Sequence, residues 1–370
     1  MRWRRTVLLA ALLPAAVVLQ WAASAAPDFV ETAYSRTVYP LIVGVLGALT
    51  GWIPFSLAEL LVAACAVWLV IAAGRTVIHI LQKRRRLRNA LAHGAGKVLA
   101  LLGIVYMAGV LLWGFNYHRV PFATSNGLDR SPPSLEELET LCVTLIDRAN
   151  SLRASVEEDA DGVMRLGTTR RDALARARQG YARAAEVYDA LGACRARKPK
   201  AVFLSPLLSY LEISGIYSPF TGEPNVDMDV PAYEFAFTAC HELAHQIGFA
   251  FEDEANFLGY LACTMHPDAD FQYSGALKAL SYAMNSLCAE DGRAYATLYT
   301  TCCAGIKRDW KAARAFWHIH DTPLREISAG VNDIYLKTQG EAEGVRSYGK
   351  VVDLLIAELR AADREAGRTE

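Results

Sequence analysis

His241-Glu242-Leu243-Ala244-His245 is the stretch that decides how this sequence is read. Two histidines at i and i+4 stand one turn apart on the same face of an α-helix, so both imidazoles can reach one zinc ion. Glu242 projects beside that face, where it can take a proton from an attacking water and later deliver it to a leaving amine. Zinc would bring the pKa of that water down toward about 7. Such a pentapeptide arises by chance in roughly one chain in a hundred of this length, so its surroundings carry the weight. From Ala232 to Phe251 most other positions are apolar or small, including Phe235, Ala236, Phe237, Ala239, Cys240, Leu243, Ala244 and Ile247. That pattern predicts a buried helix. A core helix without metal would leave two histidines and a glutamate to find partners in an apolar setting, at about 2–7 kcal/mol for each polar group left unpaired. Zinc answers for both histidines together.

A catalytic zinc takes three protein ligands and keeps one position open. Gly248 lets the chain turn after His245, and Phe249-Ala250-Phe251-Glu252-Asp253-Glu254-Ala255-Asn256-Phe257 follows. Here the sequence resembles the gluzincin metallopeptidases, whose third ligand opens a Glu-x-x-x-Asp pattern on a second helix. The resemblance implies Glu252 as third ligand and residue 256, here Asn256, as the group that orients a ligand histidine. Glu254 is the rival ligand, but Leu258 occupies its i+4 position. The metzincin pattern fails, because Phe251 stands where its third histidine would be.

From Pro199-Lys200-Ala201 through the zinc motif to Arg346-Ser347-Tyr348-Gly349, the sequence is similar to a bacterial membrane-protein family known as a domain of unknown function, DUF3810. The similarity covers roughly the whole chain. Zinc peptidases usually supply a Tyr, His or Arg to the developing oxyanion. Tyr335, Arg346 and Tyr348 are candidates, and the resemblance favours the two tyrosines, because the family carries similar Tyr-Leu-Lys and Ser-Tyr-Gly runs.

The composition requires part of the chain to lie in membrane: 53% of residues are hydrophobic and the mean hydropathy is +0.16, high for a wholly soluble protein. Apolar runs at about 6–26, 55–74 and 98–117 are long enough to span. Trp113, Phe115 and Tyr117 read as interfacial aromatics at the end of the third. The basic residues Arg2, Arg4 and Arg5, and the run from Lys83 to Arg88, belong on the cytoplasmic side. Two spans between these clusters and a third after them then export everything beyond Tyr117. The small residues Ala22 to Ala26 would permit cleavage of a leader, but the later spans favour a retained anchor. Leu41 to Trp52, bounded by Pro40 and Pro54, is too short to cross and reads as re-entrant or interfacial. Glu59 reads as interfacial. Residues 1–116 carry 11 Lys/Arg against 3 Asp/Glu, and the remainder nets −9. An acidic folded part argues against nucleic-acid binding.

Between the anchor and the motif, Ser131-Pro132-Pro133 is a stiff linker, and Ser134 with Glu137 signals a capping box for a helix to about Ala154. A second helix is expected from Thr169 to Leu191. Residues 216–228 read as a short hairpin whose prolines suit an edge position, where a peptide could add as a further strand or which could be plain surface. His266, His318 and His320 are assigned to surface or packing. Eight cysteines without a C-x-x-C pair give no cysteine zinc knuckle.

The sequence thus predicts a mainly α protein. Its membrane anchor occupies 1–118, a helical stalk or subdomain 119–198, and a zincin-like, helix-rich α+β metallopeptidase domain 199–370. The expected activity is peptide-bond hydrolysis with Zn2+ on His241, His245 and Glu252, and Glu242 as base and then acid. A peptide or protein substrate and the lipid bilayer are the expected partners. The alternative from another class is a non-enzymatic, zinc-stabilised membrane sensor.

Overall fold

The computed structural model describes residues 2–82, 87–193, 195–338 and 350–367, and the chain is mainly helical. Among the described residues, three helices are long and apolar enough to cross a membrane: Arg5–Ser24, Leu57–Ile78 and Gly94–Leu112. Their number and order follow the hydropathy. Most of the basic run between the second and third, Lys83 to Arg86, lies outside the described residues.

The third apolar helix ends at Leu112, five residues before the expected boundary. Trp113 and Tyr117 are buried, with Tyr117 in a tight 3-10 turn, Gly114–His118. They are therefore not interfacial aromatics. Their rings pack edge to face, 5.2 Å between centroids, and Tyr117 meets Phe251 in the same way at 5.5 Å. An apolar run ending in aromatics looks the same whether lipid or protein covers the rings, and here protein covers them.

The segment Leu41 to Trp52 also finds protein. Residues Val30–Val38 form a wide helical stretch with i→i+5 bonding, continued by the helix Tyr39–Thr50. One face of the latter, Tyr39, Val43, Gly47 and Thr50, is buried, while Leu41, Val45 and Leu49 are exposed. This one-sided burial agrees with an interfacial segment and does not require a re-entrant one.

Most of the remaining described residues form one core. Ser134 caps the helix Leu135–Arg153, with the expected reciprocal bonds to Glu137. That helix is no stalk. Its buried Leu138, Leu141, Leu145 and Ile146 join Leu277, Leu280 and Leu287 of the long helix Ala269–Glu290 in the same hydrophobic cluster as the motif. The expected helix 169–191 is broken into Arg170–Arg176, Arg178–Val187 and Asp189–Gly192.

Strands are few. A small antiparallel pair, β1 (Glu157–Glu158) and β2 (Met164–Arg165), stands apart from a three-stranded sheet of β3 (Lys200–Ala201), β4 (Gly215–Ser218) and β5 (Glu223–Val226), in the order β3-β5-β4. β5 is central, parallel to β3 and antiparallel to β4. Pro224 is thus not on an edge strand as the sequence suggested. It is tolerated because β3 pairs only with Asn225 and Val226, one step further along. The edge strands are β3 and β4.

Candidate metal centre

The motif lies on the helix Ala232–Gln246, buried on nearly every side: Phe235, Ala236, Cys240, Leu243 and Ala244 are fully enclosed. Gly248 follows with φ +99°, a backbone region that favours glycine, and a Cβ there would come within 3.0 Å of the Tyr39 ring. The chain turns and a second helix starts at Glu252, Glu252–Thr264. This short return brings three donors together. The two histidine Nε2 atoms are 3.1 Å apart, Glu252 Oε2 is 3.4 Å from His241 Nε2, and Oε1 is 3.5 Å from His245 Nε2. His241, His245 and Glu252 are the one group of such residues, among those described, that could hold a metal ion.

Each histidine is aimed by a second contact. His245 Nδ1 lies 2.8 Å from the carbonyl of Phe249, so a proton on Nδ1 leaves Nε2 free as a ligand. The Asn256 amide interacts with His241, and its Oδ1 accepts from the Tyr282 hydroxyl at 3.0 Å. In that orientation His241 Nδ1 and Asn256 Nδ2 are both buried and unpaired. Exchanging the ends of the amide would satisfy both, giving a chain from His241 through Asn256 to Tyr282. Tyr282 sits mid-helix, 26 residues beyond Asn256, and no local pattern announces it.

Glu254, the rival, points elsewhere: its Oε1 accepts from the backbone N–H of Phe122 at 2.5 Å. Tyr335 falls on the helix Pro323–Thr338 with its side chain outside the described residues, and Arg346 and Tyr348 lie outside them altogether. His266 is a packing residue, stacked on Phe271 at 4.0 Å.

Glu242 is buried, and its Oε2 has no partner among the described residues. β4 passes directly over it, so closely that a Cβ on Gly215 would lie 2.5 Å from Oε1. Burial, reinforced by the charge of Glu252, pushes the Glu242 carboxyl up to about 8 against the pull of His245. Burial likewise lowers His241. It would lower His245 too, but the bond to Glu252 and that carboxylate's charge outweigh it and carry His245 up to about 9. Glu252 is itself held well below the usual carboxylate range, because the two histidines overcome the cost of burying it.

The last turn of the motif helix is held by residues that precede it by more than a hundred positions. Trp113 Nε1 donates to the His245 carbonyl at 3.2 Å, and the Tyr39 hydroxyl donates to that of Gln246 at 2.8 Å. Arg119 donates to the Gly248 carbonyl at 2.9 Å, lies 4.0 Å over the Phe249 ring, and forms a two-pronged pair with buried Glu31, both bonds 2.9 Å. Carbonyls at a helix end have no partner within the helix; the Gly248 N–H reaches that of His245 at 3.1 Å, and side chains from the N-terminal segments add to it and supply those of Gln246 and Gly248.

The family model described as a protein of unknown function (DUF3810) matches residues 34–356. The chain belongs to this family. The DUF3810 match takes in Tyr39, Trp113 and Arg119 as well as the motif, so the family unit includes the segments that hold the motif's last turn. No curated protein and no solved structure matches the chain.

Proposed function

We propose that this protein is a membrane-anchored zinc peptidase, with zinc on His241, His245 and Glu252. The observation that carries the reading is the spacing of the three donors, 3.1, 3.4 and 3.5 Å. Ligands at zinc distances of about 2.0–2.2 Å in a tetrahedron stand roughly 3.3–3.6 Å apart. The pocket also favours positive charge, since an enclosed carboxylate is kept ionised and draws a proton onto His245. Bound zinc would supply Lewis-acid activation of a water molecule.

The chain's own residues do the rest. Glu242 takes the proton from the attacking water and returns it to the leaving nitrogen, and its buried, unpaired Oε2 suits a group that must change protonation state near neutral pH. Glu252 stays ionised, the Phe249 carbonyl holds His245 in the tautomer that presents Nε2, and Asn256, with its amide ends exchanged, would do the same for His241. β4, antiparallel at the sheet edge and in contact with Glu242, offers an extended peptide a register beside the base. In this reading the domain is zincin-like, the N-terminus is cytoplasmic and the domain extracytoplasmic, as the basic clusters favour.

A closed sensor site would use a fourth protein donor, whereas the group among the described residues has three. Metal analysis of the full chain should give one zinc per molecule, and Glu242→Gln should keep that zinc while losing peptide hydrolysis. Hydrolysis by the variant at the parent's rate would refute the mechanism.

A further inference from the structure

The carboxylate of Glu59 fixes the depth of one loop of the domain. It accepts hydrogen bonds from the backbone N–H groups of Phe203 and Leu204, both at 2.8 Å. Glu59 lies two residues into the apolar helix Leu57–Ile78, about 3 Å inside its end at a rise of 1.5 Å per residue. The turn between β4 and β5 is pinned at a matching level. A Cβ on Gly109 would lie 3.9 Å from the Phe220 ring, and Gly109 is three residues, about 4.5 Å, inside the third helix, which ends at Leu112. The Phe220 ring thus reaches below the level at which the third helix ends, and the Phe203–Leu204 backbone meets the second helix at its outer end, since helical side chains tilt toward the N-terminus.

Their side chains suit that depth. Phe203 is 88% exposed, Leu204 and Leu207 are exposed close to it in sequence, and Ile216 on β4 and Phe220 in the turn after it are exposed as well. Large apolar side chains left exposed in this way mark a binding surface. At the level of spanning residues the surface that continues it is lipid. Just upstream, Arg195 and Lys198 are exposed and Lys200 donates to the carbonyls of Thr50 and Ile53, which places a basic run where headgroup phosphates would lie.

We propose that the domain is seated in the interfacial layer of the bilayer through Phe203, Leu204, Leu207 and Phe220, and that its cleft serves polypeptide segments held at that surface. β4 makes the link. Gly215 lies against Glu242 and Phe220 follows five residues later, so at most about 17 Å of extended chain separates the base from the immersed turn. A peptide paired with β4 would then be cut within about five residues of the bilayer. The cleavage part rests on the peptidase reading, whereas the seating does not.

The test uses the full chain in proteoliposomes, with the exposed Cys65 and Cys288 replaced by serine. An environment-sensitive fluorophore on Phe203→Cys, and in a second variant on Leu207→Cys, should lose about half or more of its emission to lipids carrying a shallow nitroxide. The same label on Asp161→Cys, in the charged β1–β2 turn, should not respond. Labels at 203 and 207 that behave like the one at 161 would overturn the seating. A fluorogenic peptide bearing a palmitoyl chain should be hydrolysed at least about tenfold faster than the same peptide without it, and Glu242→Gln should cleave neither. Equal rates for the two peptides would overturn the substrate class. Lipid quenching together with no hydrolysis above Glu242→Gln would sink the peptidase reading and leave the seating intact.

Discussion

Gly215→Ala tests the catalytic reading without touching a metal ligand. A methyl group at 215 would stand 2.5 Å from Glu242 Oε1, 2.6 Å from Cγ and 2.8 Å from Cδ. Ordinary contacts begin near 3.4 Å, so something must move by close to 1 Å. The end of a side chain moves more readily than a hydrogen-bonded strand, so the shift falls on the Glu242 carboxylate. A misplacement of that size costs about a hundredfold in rate, or roughly 2.7 kcal/mol of transition-state stabilisation. Overpacking costs folding stability by about 1–3 kcal/mol, less where the side chain swings aside. The assay compares parent and variant in detergent by bound zinc, thermal unfolding and turnover of a fluorogenic peptide. Zinc should remain at one per chain while kcat falls by about two orders of magnitude. A variant within threefold of the parent in kcat would refute Glu242 as the base or β4 as its neighbour.

Glu252→Gln should lose zinc to a chelator that leaves Glu254→Gln fully loaded, and metal analysis after dialysis distinguishes them. Glu254→Gln should also unfold at a higher temperature than the parent at pH 8.5 but not at pH 5. Burial raises this carboxyl to about 7, so the folded parent loses stability as pH rises from 4.5 through that value. Asn256→Ala and Tyr282→Phe should weaken zinc binding about 10- to 100-fold and less, respectively, as losses of support behind a ligand do, measured by competition with a chromogenic chelator. Arg119→Met should cost about 1–3 kcal/mol by taking from buried Glu31 its enclosed partner and leaving only the half-exposed Arg36 at 2.8 Å, and Arg119→Met with Glu31→Gln should recover part of the loss in thermal unfolding.

The sequence makes legible whatever is local. The i, i+4 histidines, the turn at Gly248, the capping box at Ser134 and the three apolar helices each rest on spacing or composition within one element. The third ligand is nearly local, because the return from His245 to Glu252 is so short that the second helix begins at the donor itself. What sequence could not assign depends on which distant element meets which. Trp113 and Tyr117 have the same chemistry against lipid or against Phe251 and His245. Leu135–Arg153 shows an apolar face, but nothing in its pattern says that the long helix Ala269–Glu290 covers it. Tyr282 and Arg119 have no neighbours in sequence to mark them, and their roles arise only once Asn256 and the Gly248 turn are brought alongside.

The contacts at the end of the motif helix bear on how the protein can be divided. A fragment beginning near residue 120 would keep all three donors and Glu242, and by its hydrophobic pattern it resembles a free-standing domain. It would lack Trp113, Tyr39 and Arg119, and so lose the side-chain bonds to the carbonyls of His245, Gln246 and Gly248. The His245 carbonyl keeps the Gly248 N–H at 3.1 Å, but each of the other two, left without a partner, costs about 1–3 kcal/mol, together a sizeable share of the 5–15 kcal/mol that typically separates folded from unfolded protein. The loss falls on the turn that carries the chain from His245 to Glu252, so ligand geometry should fail before the rest of the core. Purified residues 120–370 should therefore bind less than a tenth of an equivalent of zinc under conditions where the full chain binds one. A fragment that binds zinc as tightly as the full chain would mean that the motif's last turn is held by the domain alone.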